Sequence, residues 1–198
     1  MPEEVSKTSD ELNYYDKKVF LDSASVFIVD DDFSLDSIDI ASIASNCIGL
    51  TQGGADFKAK PDIKELKFDG SNGRPIAGAK RIAKWDVTLE VNAIELLDNT
   101  FTLSLLEKKV DEHNKFTEYV PIEGVIEDKF YKNVLLVGKT TDGKDAVILV
   151  RNAINTEGFN LKTEDEKEGI CKLKLEGNYT LNKDFSTKEL PFVIRTFN

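Results

Sequence analysis

Residues 82–93 read IAKWDVTLEVNA, and the fold class follows from the order of these side chains. Apolar side chains, among them Trp85 and Leu89, occupy every second position, and the positions between them are polar or charged. An alternation with a period of two is typical of a β-strand that buries one face and leaves the other in water. The stretch therefore predicts a long strand with a core face and a polar face.

A second alternating stretch, at residues 55–68, precedes the first one. Its apolar and charged positions exchange places at Lys64 and Glu65, which indicates one extra residue and hence a β-bulge in this strand. The intervening segment DGSNGRP, at residues 69–75, is rich in residues that favour turns. The two stretches therefore predict a long antiparallel hairpin with a flexible loop at its tip.

Further strand-like segments follow over the rest of the chain. They lie at residues 19–29, 119–126, 130–139, 145–153 and 171–179, with a last apolar segment at 191–194. Asp142 and Gly143 stand between two of these segments, and this dipeptide between apolar runs favours a hairpin.

One helix is predicted, at residues 98–109. Asp98 suits its N-terminus as a capping residue, and Lys108 and Lys109 suit its C-terminus, where the helix dipole favours cations. Its apolar stripe is formed by Phe101, Leu105 and Leu106. Residues 34–46 alternate too weakly to decide between a helix and a strand.

These elements predict a mainly β fold of packed antiparallel sheets, sandwich-like or barrel-like, with one flanking α-helix. The chain has 198 residues, a length at which one domain buries a sizeable core. Residues 19–198 are therefore predicted to form a single β domain, and the polar residues 1–18 a flexible N-terminal arm.

Charge and composition narrow the classes of function. The chain holds 26 Lys and Arg against 36 Asp and Glu, a net charge of −10, which disfavours a protein that grips a nucleic-acid backbone. The longest apolar runs have the length of strands, and acidic residues stand near the start, where a signal peptide needs basic ones. We therefore expect neither a membrane segment nor export by a signal peptide.

Residues suited to catalysis or metal binding are sparse. The one histidine, His113, lies among polar neighbours in a predicted loop, and Cys47 and Cys171 lack the spacing of a zinc site. The acidic run at residues 30–32 lacks the glycine and the closing glutamate of a calcium loop. We expect no enzyme, no cofactor and no metal site, although a pair of carboxylates meeting in space, as in glycosidases, stays open from sequence alone.

The order of several motifs resembles the major tail proteins of tailed bacteriophages, which form the tail tube. The resemblance is carried by the run NCIGLTQGGADF at residues 46–57, by FDG at 68–70 and IAGAKR at 76–81, and by the passage from Trp85 to Leu106. The segments NVLLVG at 133–138, DG at 142–143, residues 152–159 and PF at 191–192 continue it. These parts are loose patterns that together span about residues 19 to 194.

The resemblance implies packed antiparallel sheets with a helix at the flank, and hexameric rings that stack into a tube. In that family, strands of all the subunits line a continuous inner barrel, through which double-stranded DNA passes without specific binding. The implied partners are the tape-measure protein, the tail-tip proteins and the tail-terminator protein. The implied location is the virion tail, assembled in the cytoplasm of the host bacterium. The length and the hairpins resemble the long non-contractile type more than the tube subunits of contractile tails or tailocins.

Two sets of residues become hypotheses about the tube. Lining of the lumen is expected from the polar positions of the long hairpin: Asp56, Asp62, Lys84, Asp86, Thr88, Glu90 and Asn92. A ring-to-ring contact is expected from the loop at its tip: Asp69, Gly70, Ser71, Asn72, Gly73 and Arg74. The acidic total charge further predicts a negative lumen wall, to which DNA does not stick. The alternatives are an ordinary outer sheet face for the first set and a solvent-exposed turn for the second.

A different class of function is a β-sandwich binding module displayed on a surface, such as an adhesin or a carbohydrate-binding domain. Such a module presents aromatic side chains on one exposed face. The aromatic residues Phe57, Trp85, Phe101 and Tyr179 instead lie in the apolar phase of their elements, and Trp85 is predicted to be a core ring.

Overall fold

The computed structural model describes residues 20–36, 38–69, 74–110 and 116–197. The strands are β1 Phe20–Val29, β2 Thr51–Glu65, β3 Lys80–Ala93, β4 Leu106–Val110, β5 Thr117–Pro121, β6 Lys132–Thr140, β7 Asp145–Asn155, β8 Leu161–Lys162, β9 Ile170–Gly177, β10 Thr180–Leu181, β11 Thr187–Glu189 and β12 Phe192–Thr196. The α-helices are α1 Ile40–Ile43 and α2 Asp98–Leu103.

The long strands form two antiparallel sheets that have β7 in common. The first sheet has the order β1-β6-β7-β12, and the second sheet has the order β2-β3-β9, with the short β8 pairing on the far side of β9. β7 pairs with β6 and β12 over its first part and then with β9 at Ile154 and Asn155. Among the described strands the sheets do not close into a barrel. The prediction of a mainly β fold with packed antiparallel sheets is confirmed, in its sandwich-like form.

A bulge lets β7 pass from one sheet to the other. The pairing of β6 with β7 shifts between Lys132 and Val134, and Asn152 in the shifted part of β7 has a φ of 46°. Asparagine tolerates this left-handed conformation better than most residues. Its side chain also donates to Thr180 Oγ1 at 2.8 Å, and its backbone N–H donates to Asn133 Oδ1 at 3.0 Å. The bend is therefore fixed by hydrogen bonds to two neighbouring segments.

The main core lies between the two sheets. The second sheet contributes alternate residues of β3 and β9, such as Leu89 and Leu173, and the first contributes alternate residues of β1 and β6, such as Val26 and Leu136. Because the described residues cover only one face of the second sheet, its strands alternate between apolar and polar residues, as the sequence predicts.

A smaller core covers the opposite face of the first sheet. Residues of the connection between β1 and β2, including Leu35 and Ile43, pack there against Leu135 and Val147. Both faces of β6 and β7 are thus buried, which explains why their sequences are continuous apolar runs. Residues 34–46, left open by the sequence, contain the single turn α1, capped by the Asp39 side chain, followed by a 3₁₀ turn.

The long hairpin is confirmed, but its bulge lies elsewhere than predicted. β2 and β3 pair antiparallel from Thr51–Ala93 to Glu65–Lys80, and the register shifts between Asp62 and Ile63, so that the extra residue is Ala83 in β3. The prediction of an extra residue at Lys64 and Glu65 in the preceding strand is therefore wrong. Lys64 and Glu65 pair with Arg81 and Lys80 in regular register, whereas the extra residue in β3 places Ile82 opposite Ile63.

The predicted helix at residues 98–109 is only half right. α2 ends at Leu103, Leu105 takes a left-handed φ of 61°, and the chain continues as β4. The Ser104 hydroxyl donates to the carbonyl of Thr100 at 2.9 Å, a local bond that competes with continuation of the helix. Asp98 is the first helical residue, with Leu97 at the capping position. Lys108 and Lys109 belong to a strand that pairs with β5.

Candidate functional surface

One face of the second sheet is polar across three strands. The polar face consists of Asp56, Lys58, Lys60 and Asp62 of β2, Lys84, Asp86, Thr88, Glu90 and Asn92 of β3, and Lys172, Lys174 and Glu176 of β9. The register places these residues in rows, because Asp56 pairs with Glu90 and Glu90 pairs with Lys174. The seven residues predicted for the lumen therefore lie together on one surface.

The charges of the polar face balance. Its five carboxylates are Asp56, Asp62, Asp86, Glu90 and Glu176, and its five ammonium groups are Lys58, Lys60, Lys84, Lys172 and Lys174. The expectation of a negative surface does not hold for these residues, since the total charge of the chain does not report the charge of one face. The sequence showed the alternation of β9, but the pairing of β9 with β3 joins segments about 80 residues apart and leaves no local signal.

Ion pairs within the polar face neutralise neighbouring side chains. Lys84 Nζ lies 2.7 Å from Asp86 Oδ1, and Lys172 Nζ lies 3.1 Å from Glu90 Oε2. The hydrogen bond from Lys172 lowers the pKa of Glu90, and the hydrogen bond to Asp86 raises the pKa of Lys84. These hydrogen bonds therefore favour the charged forms of Lys84 and Glu90. A polyanion passing this face meets Lys84 and Lys172 already paired with carboxylates.

At the hairpin end farthest from the cores, no described residue covers either face. From Lys80 to Lys84 every residue of β3 is exposed, and the cross-strand pair Ile63 and Ile82 is 53% exposed at both positions. Of the predicted ring-contact loop, Asp69 and Arg74 are exposed. The predicted loop residues Gly70, Ser71, Asn72 and Gly73 lie outside the described residues.

The outer edge of the second sheet is long and open. β2 is 15 residues long and pairs only with β3 among the described strands. Pro61 lies within it, a residue that sheets accept on edge strands because it has no N–H to donate. Gly53 and Gly54 have φ values of 83° and 80°, and the pairing with β3 is interrupted beside them. An edge of this length is a template for pairing with another chain.

The hairpin of β4 and β5 is attached to α2 by polar and aromatic contacts. The Tyr119 hydroxyl and Lys108 Nζ both donate to the Asp98 carboxylate, and the Tyr119 ring stacks on Phe101 with the centroids 4.2 Å apart. These hydrogen bonds, chiefly the one from Lys108, lower the pKa of Asp98. The bond to Asp98 raises the pKa of Tyr119 to about 12. Asp98 thus anchors the hairpin rather than capping the helix.

Replacing Tyr119 with phenylalanine should remove a tyrosine whose ionisation is shifted to high pH. The folded-state pKa of Tyr119 is raised, so its contribution to stability is complete below pH 10 and is lost as the pH rises toward about 12. Absorbance at 295 nm during an alkaline titration measures tyrosine ionisation. The folded wild type should show a component near pH 12 that Tyr119→Phe lacks. Tyr131→Phe is the control. Loss of the component near pH 12 in this control would contradict its assignment to Tyr119.

The remaining candidate residues are one tryptophan, two cysteines and one histidine. Trp85 is half-buried at the rim of the main core, edge-on to Phe192 at a centroid distance of 5.5 Å, so its prediction as a core ring holds only in part. Cys47 and Cys171 are free thiols, and Cys171 is buried. His113 lies outside the described residues. Within residues 20–36, 38–69, 74–110 and 116–197 no three side chains are grouped as metal ligands.

The helices α1 and α2 are both short. No helix in the described part of the chain is long and apolar enough to cross a membrane. Comparison of the chain with known proteins found no matching family model and no matching curated sequence.

Proposed function

We propose that this protein is the structural subunit of a bacteriophage tail tube, in which copies join side by side into hexameric rings and the rings stack around a lumen. The observation that carries the proposal is the second sheet: one face is apolar and packed, the other is polar with balanced charges, and its edge strand β2 is open along 15 residues. The motif resemblance of the sequence points to the same class of protein.

The open edge of β2 favours a closed assembly. Unpaired backbone N–H and C=O groups on a long edge favour pairing with another strand. Copies arranged around an axis satisfy such edges mutually, and the joined sheets then form one continuous wall. In this arrangement the main core stays within each copy, and the polar face becomes the inner surface of the wall.

The balanced polar face suits the passage of DNA. Proteins hold DNA chiefly by displacing counterions with Lys and Arg at the phosphates, so a wall with many free cations would retain the duplex. Here Lys84 and Lys172 are paired with Asp86 and Glu90. A wall of net zero charge neither binds the duplex nor adds strong repulsion along its path.

The proposal has consequences for partners and location. The tube would form in the host bacterial cytoplasm and end in the virion tail. It would contact the tape-measure protein during assembly and the tail-tip and terminator proteins at its two ends. The long non-contractile tail is the type proposed, and the proposed role requires neither catalysis nor a cofactor.

Electron cryomicroscopy of the purified full-length protein at high concentration tests the proposal. We expect rings or tubes with the polar face on the inner wall. As a chemical check, Thr88→Cys in a Cys47→Ser background should react with a small maleimide after assembly but not with a maleimide on a large polyethylene glycol. Lys183→Cys, on the turn between β10 and β11, should react with both. Monomers alone, or a polar face on the outside of the rings, would overturn the proposal and favour a surface binding module.

A further inference from the structure

The two ends of the second sheet carry opposite charges. The distal end comprises residues 63–69 and 74–82, where the long hairpin runs past the cores. The body end comprises Leu50, Gln52, residues 95–97 and residues 161–170. The register fixes their separation, because Glu65 pairs with Lys80 at one end and Thr51 pairs with Ala93 at the other. At about 3.3 Å per residue, the ends lie roughly 45 Å apart along the strands.

The distal end is basic and apolar. Its cations are Lys64, Lys67, Arg74, Lys80 and Arg81, against the carboxylates of Glu65 and Asp69. Only Lys80 has an ion pair there, with Glu65 at 3.6 Å, among the residues that the structure describes. Its exposed large apolar side chains are Ile63, Leu66, Phe68, Ile76 and Ile82. This is a basic patch on a chain with a net charge of −10.

The body end gathers segments that are distant in sequence. Leu161 of β8 pairs with Cys171 of β9, Cys171 pairs with Ala93 of β3, and Ala93 pairs with Thr51 of β2. The residues just beyond this row therefore lie side by side at one edge of the sheet. Gln52 and the turn from β8 to β9 share the walls of a concavity of about 330 Å³.

The body end is acidic and apolar. Its carboxylates are Glu95, Glu164, Asp165, Glu166 and Glu168, against the cations Lys162 and Lys167. Both of these lysines are bound to Glu164, so no described ion pair occupies Asp165, Glu166 or Glu168. Its exposed apolar side chains are Leu50, Leu96, Leu97 and Leu161, of which Leu50 is 66% exposed. The body end and the distal end therefore have net charges of opposite sign, and both expose large apolar side chains.

We infer that the distal end of one copy docks on the body end of a second copy, and that this contact joins successive rings. That this contact joins rings rests on the proposed function. The end-to-end contact itself is inferred from the two surfaces alone. The opposite charges of the distal end and the body end favour the pairing of unlike ends. Pairing of like ends would place cations against cations or carboxylates against carboxylates. Exposed isoleucine, leucine and phenylalanine side chains supply the apolar area that an interface needs at its centre.

A contact between unlike ends leaves both outer ends free. Such a heterologous contact repeats by translation and builds an open stack rather than a closed dimer. The rise from one copy to the next is set by the length of the second sheet. The contact also explains why the hairpin continues past the cores although no described residue of its own chain covers it.

Charge reversal tests the pairing. Lys64→Glu with Lys67→Glu, or Asp165→Lys with Glu168→Lys, should each shorten the stacks seen by electron microscopy and weaken end-to-end association by at least about tenfold. The variant with all four changes should recover wild-type length. Lys183→Glu with Lys188→Glu makes the same charge change on the hairpin of β10 and β11 and should have no effect. Circular dichroism verifies that each variant is folded. Wild-type stacks in either double variant, or no recovery in the fourfold variant, would overturn the pairing.

Cross-linking separates this inference from the proposed function. Lys64→Cys and Asp165→Cys are prepared as separate proteins in the Cys47→Ser background and treated with a short bismaleimide. Covalent dimers should form when the two proteins are mixed, and each protein alone should give few. Rings without mixed dimers would overturn the end-to-end contact and leave the tube proposal standing. Mixed dimers without rings or tubes would keep the contact and overturn the tube proposal.

Discussion

Replacing Leu89 with alanine should lower the free energy of unfolding by about 3 to 5 kcal/mol. Leu89 is fully buried between the two sheets, paired with Phe57 on β2 and with Leu175 on β9. Truncation leaves a cavity with strands on both sides, and paired strands collapse little around such a cavity. Urea denaturation followed by circular dichroism measures the change. With a total stability of about 5 to 15 kcal/mol for an ordinary domain, the loss is a large part of it.

The neighbouring position supplies the matched control. Thr88 precedes Leu89 in β3 but lies on the polar face. Thr88→Ala should change the free energy of unfolding by no more than about 0.5 kcal/mol, as is usual for surface substitutions. Equal losses in the two variants would show that the sheet is covered on both faces in the isolated protein, contrary to the packing described.

Replacing Asn155 with leucine should destabilise the fold by about 2 to 4 kcal/mol, because three partly buried backbone groups lose their hydrogen-bond partner. Asn155 is fully buried at the end of β7. Its side-chain oxygen accepts from the N–H groups of Glu157 and Lys174, at 3.2 and 3.1 Å. Its amide nitrogen donates to the carbonyl of Gly158 at 2.6 Å. Leucine has the same branched arrangement of side-chain heavy atoms but makes none of these bonds.

Asn160→Leu is the control for the Asn155 prediction. Asn160 is exposed, and its described hydrogen bonds use only its backbone, whose carbonyl accepts from the N–H of Lys172. The control should unfold at nearly the wild-type urea concentration, since the substitution there removes no described hydrogen bond. A stable Asn155→Leu protein would mean that the turn after β7 reorganises or that water replaces the lost bonds.

Local sequence patterns were enough to predict the strands and the long hairpin, because alternation over residues 82–93 records directly which side of a strand is buried. The same logic placed the seven expected lumen residues on one face. The helix was overextended because the spacing of Phe101, Leu105 and Leu106 fits a helix as well as a helix followed by a strand. The left-handed Leu105, which ends α2, has no distinctive local sequence.

The character of the candidate surface could not be read from single segments. Its charge balance depends on Lys172, Lys174 and Glu176, which join the polar face only through the pairing of β9 with β3. The acidic body end likewise depends on β8 and β9 bringing the turn at residues 163–169 beside the start of β2. Pairings between distant segments are decided by packing of the whole domain, and periodicity within a segment does not reveal them.

The passage of β7 between the sheets has a consequence for how the protein comes apart. Since β7 pairs with β6 and β12 in one sheet and with β9 in the other, neither sheet can separate as an intact unit. The Asn152 bend, held by Asn133 and Thr180, is the point at which the two halves are joined. We therefore expect loss of structure on one side to propagate to the other, so that the domain melts in a single cooperative transition rather than layer by layer.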